Sequence, residues 1–441
     1  MDHSAPPPEM LDELRRRVAG DVFAPDDPGY DTWRSAWNPL VDQRPVVVAV
    51  ADTVDDVVAA VRFARAHDLG VAVQSTGHGV AREADDAVLV VTSRLRGVRI
   101  DASHRTATVE AGARWDDLLP VARAHGLTGL SGSSNDIGVV GYTLGGGLGW
   151  LARRFGLASD TVLSIDLVTP DGLLVTTDAD RHPEVFWALK GGGAGTLGVV
   201  VGMELELVPV TEVYAGTLTY PHSLAWAVVR RWRDWVIGQR PELTTQVVIE
   251  PTGVSVRGCW VGEPTLGRAL IDQWRTWSLP IADDWEIRPT DRLDLIAHRT
   301  DEAIPVGITN DGLSVVRDEV VDVLVAAAAA SPDGPARVAW AGIRHVGGAV
   351  RNRSEAAVNG RGRRDPFVIE LCGGTAEDRH GVRTELAPYV TGATFLNLVD
   401  GVERRDRTAS SFSADHLARL QAVKAALDPD HRFRFGLPIT P

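Results

Sequence analysis

The sequence predicts an α+β protein built from more than one domain, and three observations lead to this fold class. At 441 residues the chain is longer than one ordinary domain. Between residues 46 and 74, two short apolar runs flank a segment of helical periodicity, which is the pattern of a β-α-β unit. After residue 210, runs of alternating apolar and polar residues indicate an antiparallel sheet with one covered face.

Composition and charge disfavour several classes of function. Hydrophobic residues at 44% and charged residues at 24% are typical of a soluble globular protein. The net charge of −14 argues against a nucleic-acid partner, because binding to phosphates needs basic patches. No apolar run approaches the roughly 20 residues that cross a bilayer, and residues 1–10 lack the features of a signal peptide. We therefore expect no membrane partner and a cytoplasmic location.

The two cysteines, Cys259 and Cys372, are too few for a disulfide framework or a cysteine-cluster metal site. We expect both to be reduced, buried thiols in a reducing compartment. No metal is expected.

The first half of the chain divides into elements in a regular order. A strand is predicted at Val46–Val50, followed by a helix that Thr53 caps and that ends at Gly70, and then a strand at Val71–Gln74. The other elements predicted here are a helix at 10–19, strands at 87–91 and 107–110, a helix at 115–125, a hairpin at 164–177, a helix at 183–189 and a strand at 195–208.

In the second half, alternating runs predict strands at 245–250, 255–260, 337–345 and 367–372. Helices predicted at 223–237, 266–277 and 317–330 are expected to cover one face of that sheet. A last helix is predicted at 416–427. The sequence therefore changes from mixed α/β character to a helix-covered antiparallel sheet near residue 210.

Two glycine-rich segments are candidates for ligand binding. Residues 75–79 follow a strand directly, and their small side chains let backbone N–H groups approach a pyrophosphate. Residues 142–149 allow a similar close approach. A tight turn and close helix packing, respectively, would account for the same residues. Neither segment has the Gly-x-Gly-x-x-Gly pattern after a first strand, which disfavours a Rossmann fold.

Taken together, these segments resemble the FAD-binding domain of berberine-bridge-enzyme-like oxidases of the vanillyl-alcohol-oxidase, or PCMH, type. The similar runs, in chain order, are 25–38, 73–79, 94–101, 138–150, 154–160, 186–193, 347–349 and 423–435. The resemblance implies a two-subdomain FAD-binding domain at 40–209 and a substrate-binding domain at 210–390. Residues 1–39 would pack on the FAD-binding domain, and residues 391–441 would form a C-terminal segment that returns to it.

The resemblance also implies which residues contact the cofactor. His78 matches the histidine that bonds to the flavin 8α-methyl carbon, although it could instead only line the site. The backbone of residues 75–79 would hold the pyrophosphate, Val200 would lie near the adenine, and Asn397 would contact the isoalloxazine. The full set of implied FAD contacts is His78, Ser75, Thr76, Gly77, Gly79, Ser134, Gly138, Gly141, Gly145, Gly146, Val200 and Asn397.

Three departures from the family pattern refine this expectation. Ser134 replaces the cysteine of a second covalent link, so we expect a single covalent 8α-histidyl tether. Phenylalanines, Phe395 and Phe412, stand where many alcohol-oxidising members have tyrosine, and phenylalanine cannot act as a base. This favours an amine substrate over an alcohol. Ile137 stands where oxidases often have valine, which either hinders O2 or is only a packing difference.

Two residues are candidate catalytic groups. The strand that ends at His345 places Ala339, Ala341, Ile343 and His345 on one face. If that face lies over the flavin, the pocket is apolar and His345 is the candidate base. Glu370 lies in an apolar strand, so it is either a substrate ligand or one half of an ion pair with an arginine.

The sequence therefore predicts an FAD-dependent oxidoreductase that moves hydride from a C–N or C–O carbon of a small, natural-product-like substrate to flavin N5. O2 or another acceptor would reoxidise the flavin. Two alternatives stay open: an oxidative cyclase or desaturase of secondary metabolism, and a non-redox cyclase in which FAD is a scaffold. Substrate identity, stereochemistry and oligomeric state are not predicted.

Overall fold

The computed structural model of the chain describes residues 7–297, 307–330, 334–353 and 355–441, and of Val402 the backbone alone. The strands in these residues form three sheets, two before residue 210 and one after it. No sheet of the described residues spans residue 210, so the change in strand pattern that the sequence predicts there coincides with a change from one sheet to another.

Each helix that the sequence analysis predicts is present, with ends that differ by a few residues, and other helices that were not predicted lie between them. The helices are α1 (Pro8–Arg15), α2 (Tyr30–Arg34), α3 (Val54–Ala66), α4 (Trp115–Ala124), α5 (Val139–Leu144), α6 (Ala152–Phe155), α7 (Pro183–Gly192), α8 (Ala225–Val236), α9 (Pro264–Arg275), α10 (Asp318–Ala327), α11 (Ala349–Asn352), α12 (Ala376–Leu386), α13 (Gly401–Arg407) and α14 (Ala414–Leu427).

The first sheet contains the predicted β-α-β unit. Its strands are β1 (Asp21–Phe23), β2 (Val47–Val50), β3 (Gly70–Gln74) and β4 (Ala87–Val91), in the order β1-β2-β4-β3. Helix α3 connects β2 to β3, and β4 lies between these two strands and is parallel to both. The carboxyl end of β3 therefore opens into residues 75–79.

Helix α3 begins as predicted but ends earlier. Thr53 and Asp56 form a capping box at its first turn. The helix ends at Ala66, because Asp68 has a φ of 55° and cannot continue it. Gly70 is not the helix terminator that the sequence predicts, since it is the first residue of β3. A Cβ atom there would lie 2.5 Å from Phe435 Cε2, so glycine is required by contact with the C-terminal segment.

Asp56 is expected to stabilise this corner of the fold in a pH-dependent way. Its buried carboxylate accepts hydrogen bonds from the backbone N–H groups of Ala19, Gly20, Asp52 and Thr53. Burial raises the pKa of Asp56, but these hydrogen bonds outweigh it and the pKa is lowered. A lowered folded-state pKa gives stability that is present above the unfolded pKa, near 3.9, and is lost as the pH falls through the folded value.

We therefore expect Asp56→Asn to lower the free energy of unfolding by about 2 kcal/mol at pH 7. The difference from wild type should shrink as the pH falls below about 4. Urea unfolding at a series of pH values measures both effects. Asp55→Asn, an exposed neighbour in the same turn, is the control, and equal losses for the two variants would contradict the assignment.

The second sheet is antiparallel throughout. Its strands are β5 (Val98–Asp101), β6 (Thr106–Glu110), β7 (Val162–Val168), β8 (Leu174–Thr177) and β9 (Val199–Glu206), in the order β5-β6-β9-β7-β8. The predicted hairpin is β7–β8, and Gly172 in its turn has a φ of 77°. The strand predicted at 195–208 is shorter, because Gly195 and Gly198 have positive φ and form a loop before β9.

The third sheet is the predicted antiparallel one. Its strands are β10 (Glu212–Tyr220), β11 (Leu243–Glu250), β12 (Gly253–Trp260), β13 (Ala282–Asp283), β14 (Glu286–Pro289), β15 (Ile308–Leu313), β16 (Trp340–His345) and β17 (Phe367–Cys372). The order is β13-β10-β12-β11-β16-β17-β15, and β14 also pairs with β10. Of these strands, β10, β13, β14 and β15 were not predicted.

Four helices cover one face of this large sheet. Residues from α8, α9, α10 and α12, such as Trp232 and Trp274, share one apolar core with Val247, Ile343 and Ile369 of the strands. Alternate strand residues point the other way, and Cys259 among them lies in the apolar core of the second sheet. The large sheet therefore has an apolar face under the helices and a second face towards the first half of the chain.

The C-terminal segment packs against the first two sheets. Phe433 lies in the apolar core of the first sheet, and the carbonyl of Arg432 accepts a hydrogen bond from the N–H of Val71 at 2.9 Å. The division into segments at residues 39, 209 and 390 stays a prediction. Both cysteines are buried free thiols. None of the helices in the described ranges combines the length and the apolar character needed to cross a membrane.

Candidate functional site

A cavity lies where residues 75–79, residues 132–148, the loop before β9 and the C-terminal segment meet. The predicted site residues that line it are Ser75, Thr76, Gly77, His78, Gly79, Ser134, Gly138, Gly141, Val200 and Asn397. Two predicted contacts, Gly145 and Gly146, do not line it. The fold thus brings residues from four distant parts of the chain to one cavity.

The imidazole of His78 is held from three directions at the cavity wall. Its Nδ1 lies 2.8 Å from the hydroxyl of Thr76, and its Nε2 lies 3.4 Å from a carboxylate oxygen of Asp136. The ring stacks on Trp37 at a centroid distance of 4.4 Å. Ser134 donates a hydrogen bond to the other oxygen of Asp136 at 2.6 Å. Because the carboxylate favours a proton on Nε2, Nδ1 keeps its lone pair and accepts from Thr76.

Backbone and small side chains form the wall around this histidine. Gly77 has a φ of 79°, and a Cβ atom there would lie 2.6 Å from the backbone nitrogen of Trp37. A Cβ atom at Gly141 would meet nothing within 4 Å, so this position opens into the cavity. The hydroxyl of Ser75 is buried and has no hydrogen-bond partner. A wall of bare backbone with an unsatisfied hydroxyl fits an extended polar ligand such as a dinucleotide.

Gly145 and Gly146 lie behind the cavity wall, next to asparagine side chains. The side chain of Asn397 accepts a hydrogen bond from the N–H of Gly147 at 2.7 Å and donates to the carbonyl of Tyr142 at 2.9 Å. A Cβ atom at Gly145 would lie 2.8 Å from Asn397 Nδ2, and one at Gly146 would lie 2.6 Å from the side-chain nitrogen of Asn359. These glycines make room for asparagine side chains, and their direct contact with a cofactor stays a prediction.

Several residues at the site were not selected as functional candidates from the sequence. Asp136 and Trp37 contact His78, and Asp400 and Arg404 line the same cavity. Burial raises the pKa of Asp400 to about 7, although Arg404 opposes this shift. Arg404 lies beside residues 75–79, since a Cβ atom at Gly79 would be 2.8 Å from its Nη1. In sequence these charged residues are indistinguishable from solvated ones, because only the fold brings them to the cavity.

The departures from the family pattern lie in different places. Ser134 and Ile137 line the cavity, whereas Phe395 and Phe412 are buried in apolar clusters and do not line it. A tyrosine that sequence reasoning did not select, Tyr142, does line the cavity, and its hydroxyl is buried without a hydrogen-bond partner. Burial raises the pKa of Tyr142 above its usual range, so it is a neutral phenol at pH 7.

The two candidate catalytic residues do not line this cavity. Nε2 of His345 accepts a hydrogen bond from Arg153 at 2.7 Å, and burial together with the charge of Arg153 lowers the pKa of His345 to about 3. Glu370 is buried and accepts hydrogen bonds from Arg344 at 2.7 and 3.3 Å, which is the ion pair considered as its alternative role. A catalytic role for either residue stays a prediction, and this geometry does not favour it.

The condition under which the sequence analysis expects an apolar pocket beneath β16 is not met. Ala341 and Ile343 lie in the core under the helices, so their face is turned away from the first half of the chain. The opposite face carries Trp340, Gly342 and Arg344, and the guanidinium of Arg344 lies 5.1 Å from the ring centroid of Trp150. The residues of β16 that face the FAD side of the molecule therefore include a charged group.

Comparisons with known proteins identify the type of enzyme. The model of a family described as FAD binding domain matches residues 45–178. An FAD-linked oxidoreductase of Dictyostelium discoideum is 25% identical over 448 residues, which cover 98% of this chain and 97% of that protein. The chain is an FAD-linked oxidoreductase. The (R)-6-hydroxynicotine oxidase of Paenarthrobacter nicotinovorans is 34% identical over 211 residues, which cover 47% of the oxidoreductase and 46% of that enzyme.

Solved structures share the fold of the oxidoreductase over almost its whole length. The 6-hydroxy-D-nicotine oxidase of Arthrobacter nicotinovorans has a TM-score of 0.85 at 23% identity and covers 96% of this chain and 98% of its own. A chitooligosaccharide oxidase has a TM-score of 0.83 at 20% identity and covers 98% and 99%. The predicted fold class is thereby confirmed. Together with the FAD-binding family match and the FAD-linked relatives, these structures confirm the resemblance to berberine-bridge-enzyme-like FAD oxidases.

A third comparison bears on the reaction with oxygen. The grass pollen allergen Phl p 4 is described as having glucose dehydrogenase activity, and its structure has a TM-score of 0.85 at 18% identity, covering 98% of this chain and 99% of its own. A variant of that allergen with isoleucine replaced by valine is described as a glucose oxidase. In that protein, one such replacement accompanies the change from dehydrogenase to oxidase.

Proposed function

We propose that the oxidoreductase holds FAD through one covalent bond, from His78 to the flavin 8α carbon. The observation that carries this proposal is the orientation of His78 at the cavity wall. Asp136 on Nε2 leaves the lone pair of Nδ1 available for bond formation, and Trp37 restricts rotation of the ring. Ser134 on the same wall cannot form a thioether, so the tether is single.

The other cavity residues would each contact a different part of the FAD. The backbone of residues 75–79 and the unpartnered hydroxyl of Ser75 would hold the pyrophosphate. Gly138 and Gly141 would lie against the ribityl chain and flavin, because a side chain at Gly141 would occupy the cavity. Val200 would lie near the adenine, and Asn397 would support the isoalloxazine through the loop that it anchors.

The reaction that we propose is oxidation of a C–N carbon, with a C–O carbon as the second choice. Bound FAD would supply a hydride acceptor at N5 and a route for two electrons to O2. The protein would position the substrate carbon and exclude water. Phe395 and Phe412 lie outside the cavity wall, and Tyr142 is a neutral phenol, so none of these supplies a phenolate base. A neutral amine needs no base to lose hydride, which favours an amine.

Anaerobic mixing of the yellow protein with candidate amines and alcohols tests this reaction. A substrate should bleach the flavin absorbance, because the flavin is reduced without an acceptor. Formation of a product without bleaching would contradict hydride transfer and would indicate a non-redox cyclase. Product analysis distinguishes simple oxidation from oxidative ring closure or desaturation.

Ile137 is expected to slow the reaction of the reduced enzyme with O2. It lines the cavity and is larger than valine by one carbon atom. We expect Ile137→Val to return the yellow colour at least several-fold faster when air is readmitted, because access for O2 widens. Ile165→Val, the same change at a fully buried core position, is the control. Equal rates for the wild type and both variants would show that Ile137 only packs.

A further inference from the structure

Three polar side chains form a row across the large sheet, on the face opposite the helices. The strand register places Gln246 beside Arg257 on one side and beside Arg344 on the other. Arg257 Nε donates to Gln246 Oε1 at 3.0 Å, and Arg344 Nη2 donates to the same oxygen at 3.4 Å. All three side chains are buried, with 9%, 0% and 3% of Arg257, Gln246 and Arg344 exposed. We call these residues the donor row.

The donor row, taken together with its neighbour Glu370, carries more positive than negative charge. Arg344 is hydrogen-bonded to Glu370, whereas Arg257 donates to the neutral amide of Gln246, so there are two guanidinium groups and one directly paired carboxylate. Glu250 lies at the end of β11, is partly exposed, and affects Arg257 less than Arg344 and Glu370 do. Burial raises the pKa of Cys372 to about 12, so this neighbouring thiol is neutral. Burial and the charge of Arg344 lower the pKa of Arg257 to about 10, which still leaves it charged at pH 7.

Two donors of the row have no partner. Gln246 Nε2 and Arg344 Nη1 are both buried and make no hydrogen bond. Buried donors without acceptors are costly, and a buried excess charge adds to the cost. A carboxylate supplies two acceptor oxygens for the two unpartnered donors and one negative charge for the excess positive charge.

The donor row adjoins the wall of the FAD cavity. The guanidinium of Arg344 lies over Trp150, and its charge lowers the pKa of Tyr142, a residue that lines the cavity. Val368, the cross-strand partner of Arg344, packs in one apolar cluster with Leu148, which also lines the cavity. If one group of a ligand were bound to the donor row, the rest of that ligand would therefore lie close to the cavity.

We propose that the donor row is a carboxylate-binding subsite and that the substrate of the oxidoreductase is an organic anion, such as an amine that carries a carboxylate. Anchoring the carboxylate would fix the position of the carbon to be oxidised. The inference rests on the proposed function, since it names the substrate class of the same site.

A matched pair of probes tests the subsite in the oxidised, flavin-loaded enzyme. Benzoate and benzamide have nearly the same size and shape, and only benzoate carries a charge. Titration of each is followed by the change in flavin absorbance. We expect benzoate to bind at least tenfold more tightly than benzamide. Equal affinities, or no spectral change with either probe, would overturn the proposal.

Two substitutions should move benzoate affinity in opposite directions. Gln246→Glu places a carboxylate where both arginines already donate, so benzoate affinity should fall at least tenfold while thermal stability is kept. Glu370→Gln removes the carboxylate that pairs with Arg344, so benzoate should bind several-fold more tightly. Arg99→Met, at an exposed position on β5, is the control and should leave the affinity unchanged. Unchanged affinity in Gln246→Glu would show that the row is only structural.

The failure of this inference and the failure of the proposed function are distinguishable. If neutral amines bleach the flavin while benzoate does not bind, the function holds and the subsite is wrong. If benzoate binding follows the charge of the row while no substrate bleaches the flavin, the subsite holds and the proposed reaction is wrong.

Discussion

Replacing Lys424 by methionine is expected to lower the free energy of unfolding by about 3–5 kcal/mol. Lys424 and Asp428 form a completely buried ion pair within α14 and the turn that follows it. The ammonium also donates to the carbonyls of Thr196 at 2.7 Å and Phe433 at 3.0 Å. Without the lysine, the carboxylate of Asp428 stays buried with no opposite charge beside it, which is the main cost.

The same substitution should reduce flavin content. Thr196 lies between Gly195 and Gly198, which line the cavity, so Lys424 joins the C-terminal segment to the cavity wall. Denaturant unfolding and the ratio of flavin to protein absorbance measure the two effects. Lys424→Met combined with Asp428→Asn should recover part of the lost stability.

The exposed ion pair of Arg419 with Glu184 provides a control on the same helix. Arg419→Met should cost no more than about 1 kcal/mol, because exposed pairs are screened by water. If Lys424→Met cost no more than Arg419→Met, the buried pair would not be the connection that we describe.

The second large effect is expected for His78→Ala. This variant should fold and bind FAD without a covalent bond, because the cavity wall and the loop at 75–79 remain. On denaturation it should release all of its yellow colour, whereas the wild-type protein should keep the colour after precipitation and washing. His125→Ala, at an exposed position, and Ser134→Ala should both retain the colour. Release of the dye by the wild type would contradict the covalent tether.

The sequence predicts those helices and strands that are determined by residues close together in the chain. Helix α3 is capped by Thr53 and Asp56 within one turn, and β4 is an uninterrupted apolar run, so both were found. Strand β15 was missed because Asn310 and Asp311 give it a polar sequence. Asn310 bonds to the backbone of Phe395, and Asp311 pairs with Arg383 and Arg407. These partners lie far along the chain, and periodicity cannot reveal them.

The residues of the candidate site likewise fall into those with a local sequence signal and those that only the fold brings together. Residues 75–79 were found because a strand runs directly into small residues. Asp136 and Arg404 were missed because only the fold brings them to His78 and to Gly79. The orientation of β16 stayed open for a related reason. Alternation shows that Ile343 and Arg344 point in opposite directions, but not which of the two faces the helices cover.

Peptide mapping of the proteolysed yellow protein tests the central claim most directly. Fluorescence and mass spectrometry locate the peptide that carries the flavin and the residue to which it is bonded. We predict one flavin-bearing peptide, with the modification on His78 and none on the peptide that contains Ser134. A flavin recovered entirely free, or attached to any residue other than His78, would contradict the account.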